Sequence, residues 1–166
     1  MPTTVAMTEY SARKTLHFWL NGGGTAVTQA AARPYVYLFT GTPTTDTGTS
    51  YTALSGGITY TPQLLPAFTV GASASGTDHQ RAFNTVAVTM TMGGSGSSVC
   101  NGILICLNNS AIPALTGNND FSFAATVNPV LYYGTLNSSI TLNVGDTLTF
   151  SIGDNTGTVG ITVDQY

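Results

Sequence analysis

Two histidines, six aspartates, Glu9 and two cysteines are the residues of this 166-residue chain best suited to move a proton, attack an electrophile or hold a metal. Acid–base catalysis needs two titratable groups converging on one proton path, and the closest such pair is Asp78-His79. Neighbours on a strand point to opposite faces, so this pair converges only in a loop. The surrounding residues read as a solvated loop in which Arg81 offers an ion-pair partner, and no catalytic residue and no enzymatic activity are expected. His17 lies beside an apolar helical stripe and reads as a surface or interface histidine. Cys100 and Cys106, in VCNGILIC, have no His or Cys neighbours at zinc-ligand spacing. On one uninterrupted strand they would share a face roughly 20 Å apart, too far for a disulfide, whose Cα atoms lie within about 7 Å. They are expected to be small buried apolar side chains.

Other motifs carry structure rather than chemistry. Gly153-Asp154-Asn155-Thr156-Gly157 lacks the alternating carboxylates and distal Glu of a calcium loop and reads as a turn. Gly22-Gly23-Gly24 and Gly93-Gly94-Ser95-Gly96 have no following Lys-Ser/Thr and no GxGxxG register, so neither is expected to cradle phosphate. Tyr35, Tyr37 and Phe39 could line a sugar-binding groove, but alternating aromatics on a strand more often pack a core. Neither a metal nor a cofactor is expected.

Composition narrows the function classes further. Only 7% of residues are charged, against about 25% in ordinary soluble domains, and four Lys/Arg face seven Asp/Glu for a net charge of −3. Binding to nucleic acid needs a clustered basic surface, and the only adjacent basic pair is Arg13-Lys14. Polarity comes instead from 29 Thr, 19 Gly and many Ser and Asn, a bias toward strand and turn. Eight Tyr, seven Phe and Trp19 supply enough apolar surface for a folded core. The longest apolar run, Ile103 to Leu107, is far short of the roughly 18 residues of a spanning helix. No membrane segment is expected, and without a basic n-region followed by an apolar h-region, synthesis in a cytoplasm is the expectation.

The elements that would position these residues begin with a helix over 9–20, N-capped by Thr8 and stopped at Asn21-Gly22. Ala12, Leu16, Trp19 and Leu20 form its apolar stripe. With the glycine joint that follows, residues 1–24 read as an N-terminal arm and helix, and 25–166 as a single β-domain. Strands are expected at 35–40, 58–61, 68–70, 85–92, 99–107, 130–136, 146–152 and 158–163, with a long excursion over 41–57 and a short extended piece near Tyr51. Val86, Val88, Met90 and Met92 alternate to one face, Pro62 and Pro66 place their stretch at an edge, and Gly102 marks a bulge. The last two strands read as a C-terminal hairpin. The sum is an all-β chain, an antiparallel β-sandwich or jelly roll with one short N-terminal helix.

An N-terminal helix is followed by PYVYLFTGTPTTDTGTSYTALSGG, a central alternating strand, and a closing NVGDTLTFSIGDNTGTVGITVD. In this order the features resemble a family of small tailed-bacteriophage virion proteins. Tyr35 to Pro43 corresponds to that family's first strand and Thr-Pro exit, Ser55-Gly56-Gly57 to its SGG turn, Gly145 to Phe150 to its GDTLxF strand, and Val163-Asp164 to its terminal strand. The family's Trp-Gly step has no counterpart here, where Ser98 to Leu107 carries Gly102 and no Trp. The resemblance implies a virion structural protein made in the bacterial host, a capsid decoration or cement protein that forms a homo-oligomer such as a trimer on the major capsid protein. A tail or fibre-adaptor protein, with tail proteins as partners, and a carbohydrate-binding module are the alternatives. Leu16, Phe18, Trp19 and Leu20 are the expected interface residues, since an exposed aromatic stripe can act as a binding hot spot.

Overall fold

The computed structural model describes residues 3–7, 34–41, 52–66, 68–72, 80–106, 130–154 and 159–165. The strands are β1 (Thr3–Met7), β2 (Tyr35–Thr40), β3 (Thr52–Ala53), β4 (Ile58–Thr59), β5 (Gln63–Leu64) and β6 (Phe68–Ala72). They continue with β7 (Gln80–Asn84), β8 (Val88–Thr91), β9 (Gly93–Gly94), β10 (Ser97–Cys106), β11 (Val130–Asn143), β12 (Thr147–Phe150) and β13 (Ile161–Gln165). Among the described residues the chain is all-β and has no helix; the helix expected over 9–20 lies outside them.

Nine strands form one sheet in the order β3-β2-β10-β11-β1-β13-β7-β6, with β5 also paired to β2. Its ladders are antiparallel except β1 with β13, which run parallel with Thr3 opposite Ile161 and Val5 opposite Val163. β12 pairs with β8 and β4 with β9 in two small antiparallel ladders. Alternation aims Val88, Met90, Leu148 and Phe150 of the β8–β12 ladder into one buried cluster with Val36, Leu38, Ile103 and Ile105 of the large sheet. The small ladder therefore packs against one face of the large one. On the opposite face of β2 and β10, Tyr37, Phe39, Leu104 and Cys106 form a second buried cluster, with Tyr35 and Tyr133 against it. A strand buried on both faces reads as a continuous apolar run, which is what YVYLF and ILIC are.

Several sequence expectations change. The two terminal strands do not form a hairpin: β12 pairs with β8, while β13 pairs with β7 and β1. Turn residues between two alternating runs fit a hairpin, but they fit equally a crossing from one layer to another. Val86 is 58% exposed, because the ladder begins only at Val88. Thr3–Met7, expected within an arm, is an inner strand between β11 and β13. Gln80–Asn84, expected as part of a loop, is β7. The irregularity at Gly102 is present, but the extra residues lie on the partner strand. Cys100 pairs with Ile140 and Gly102 with Thr135, so residues 136–139 of β11 stand against the single Asn101 of β10. Within β10 the alternation itself breaks at Asn101-Gly102: Cys100 shares a cluster with Ile103 and Ile105, so Cys100 and Cys106 lie in different clusters on opposite faces rather than on one.

Candidate interaction surface

The outward residues of the β8–β12 ladder are all threonine. VTMT and TLTF alternate buried and exposed, and the register sets Thr89 opposite Thr149 and Thr91 opposite Thr147. The hydroxyls of the first pair are 3.1 Å apart and those of the second 3.4 Å. β-Branched threonine fits a pleated surface and leaves a methyl and a hydroxyl facing out. Ala87 and Val86 at one end and Val144 at the other are exposed, and Ile152 beside Val86's end is 56% exposed. Residues 86–92 and 147–152 include no Asp, Glu, Lys or Arg, so this is an uncharged surface of hydroxyl and apolar groups.

Two devices hold the ladder in place. At one end Asn84, fully buried, donates from Nδ2 to the carbonyl oxygens of Val86 and Ser151, each at 2.8 Å. Its Oδ1 accepts from the Ile161 amide at 2.7 Å, and the Gly153 amide donates to its backbone carbonyl at 2.9 Å. One side chain thereby joins the entry to β8, the exit of β12 and the start of β13. At the other end, Asp146 Oδ2 accepts from the Asn143 amide at 2.7 Å and the Asn143 side chain at 3.1 Å, closing the turn into β12. The amide of Gly145, at φ +89°, donates to the Met92 carbonyl at 2.8 Å.

The other residues with chemical potential are held in structural positions. Leu16, His17, Phe18, Trp19, Leu20, Asp78 and His79 lie outside the described residues. Arg81 stands in β7 at the register position of Asp164 in β13. Tyr37 and Phe39 are buried and line no open groove. Cys100 and Cys106 are free thiols, and burial pushes them up to about 11 and about 12, so neither is a ready nucleophile. The Tyr60 hydroxyl accepts from the Leu38 amide at 2.7 Å and donates to its carbonyl at 3.1 Å. It fills the interval on the β2 edge between the stretches paired by β5 and by β3, and burial raises its ionisation well above the usual phenol range. Among the described residues no group of three or more His, Cys, Asp or Glu could hold a metal ion, and no helix is long and apolar enough to cross a membrane.

Sequence reasoning found the alternation behind the threonine face but missed Asn84, whose partners Ser151 and Ile161 are 67 and 77 residues away. Compared with models of known families, with curated proteins and with solved structures, the chain matches none of them.

Proposed function

We propose that the protein is a bacteriophage virion structural protein, a capsid decoration protein that spreads over the shell and stabilises it. The observation carrying this reading is the uncharged threonine face of β8–β12, bordered by exposed Val86, Ala87, Val144 and Ile152. Threonine has little side-chain entropy to lose on contact compared with Lys or Glu, so many weak contacts over a broad area can add up. The resemblance of PYVYLFTGTPTTDTGTSYTALSGG and NVGDTLTFSIGDNTGTVGITVD to small virion proteins supports it from the sequence side. In this reading the β8–β12 layer over the large sheet is one half of a β-sandwich, the major capsid protein is the partner, and Leu16, Phe18, Trp19 and Leu20 add an apolar anchor.

The test mixes the purified protein with tailless, expanded capsids that lack it, counting bound copies and following the temperature at which shells rupture. Saturable binding in many copies per shell with a raised rupture temperature is the expected result. Absence of binding to shells, with binding to isolated tails instead, overturns the capsid role in favour of a tail protein.

A further inference from the structure

The edge of β12 that is unpaired among the described residues points to a second partner surface. Among the described residues β12 pairs only with β8. The Met92 amide donates to the Asp146 carbonyl at 2.8 Å and the Met92 carbonyl accepts from Gly145 at 2.8 Å, which sets the phase of the ladder. With a period of two, Leu148 and Phe150 turn their backbone groups toward β8, and Thr147 and Thr149 turn theirs away. Both threonines are exposed. Sheet edges are ordinarily guarded by proline, lysine, inward charge or shortness. The β2 edge of the large sheet follows this rule, being covered by two-residue strands with Pro62 and Pro66 flanking one of them. The sequence TLTFSI of β12 and its exit carries no proline, no lysine and no inward charge.

The strand is also complementary to itself. Set antiparallel about a two-fold axis through Thr149, its outward amide and carbonyl meet the same groups of a second copy in two reciprocal hydrogen bonds. Leu148 then lies beside the second copy's Phe150 on the buried face, and Thr147 beside the second copy's Ser151 on the open face. No charged residue meets its like across this axis. We propose that a second copy of this chain adds to β12 in this register, joining two β8–β12 ladders into one four-stranded sheet with a continuous threonine face. The proposal goes beyond the capsid reading and does not depend on it.

Sedimentation of the isolated protein across a wide concentration range tests it, with Thr149→Lys and Thr149→Pro as variants. Lysine places like charges at the axis, and proline removes an amide that turns away from β8, its one ladder partner among the described residues. The wild type is expected at twice the 17.1 kDa chain mass, and both variants at the single-chain mass with unchanged near-ultraviolet circular dichroism. Should Thr149→Pro fail to fold, Thr149→Lys and a Thr149→Cys variant decide: a short bis-maleimide is expected to link Thr149→Cys chains in pairs, the native cysteines being buried. A wild type of single-chain mass at every concentration, or an oligomer whose mass survives Thr149→Lys, overturns it.

Discussion

Four side chains, those of Asn84, Tyr60, Cys100 and Cys106, carry more of the structure than their number suggests. Asn84→Ala removes three hydrogen bonds at once and strands the Ile161 amide and two carbonyls. A loss of roughly 3 kcal/mol or more is expected in urea unfolding. Tyr60→Phe leaves the two backbone groups of Leu38 without their hydroxyl and should cost roughly 1–3 kcal/mol by the same measurement. The thiols give a pH dependence. In the unfolded chain they ionise near 9, but in the folded chain only at about 11 for Cys100 and about 12 for Cys106. The unfolded state therefore releases protons first, and stability, fully present below pH 9, falls as pH rises toward the folded values. Each thiol contributes a slope approaching about 1.4 kcal/mol per pH unit in that window. Urea titrations at successive alkaline pH values should show this decline, less steep in Cys106→Ala. Little at this scale was legible beforehand, because an isolated Asn or Tyr in a sequence carries no sign of which distant backbone it will satisfy.

At the scale of strands, burial patterns were readable and pairings were not. The apolar run within 99–107 announced a strand covered on both faces, which holds over 102–106, and the alternation of 85–92 announced a half-buried one, which holds from Val88 onward. Which strand meets which depends on the layers, and turn chemistry around Gly153 and Gly160 serves a crossover as well as a hairpin. The cysteines show how one local break spoils long-range inference: spacing alone puts Cys100 and Cys106 on one face, and the break in alternation within β10 at Asn101-Gly102 reverses that. Gly102 is itself required by its neighbours. A methyl group there would meet the Gly134 carbonyl oxygen and the Phe39 ring. Gly102→Ala should lower the thermal midpoint by roughly 6–12 °C if the clash costs roughly 3 kcal/mol, since each kcal/mol shifts a domain of this size by about 2–4 °C. Differential scanning calorimetry measures this directly.

Across the whole molecule, β1 stitches two groups of strands into one sheet. β2, β10 and β11 stand on one side of it and β13, β7 and β6 on the other. Nothing in TTVAM marks an inner strand, since five residues of mixed polarity match an extended arm equally well. Val5→Pro removes an amide in the middle of this strand and should cost roughly 3 kcal/mol or more. Unfolding followed by tyrosine fluorescence and by amide exchange should then separate into two transitions, with β13 and β7 opening first. Because β1 also joins the beginning of the chain to its end, folding depends on contacts of the longest sequence separation and is expected to be slow for the chain's size.

The parallel register of β1 with β13 has a mechanical consequence. Tension applied between residue 3 and residue 165 pulls the start of one strand against the end of its parallel neighbour, so it acts along the ladder and loads its hydrogen bonds together rather than peeling them one by one. Tethered by its ends, the molecule resists stretching in shear, and a force spectrometer should record a higher rupture force when pulling from the two ends than when pulling across the antiparallel β6–β7 pair.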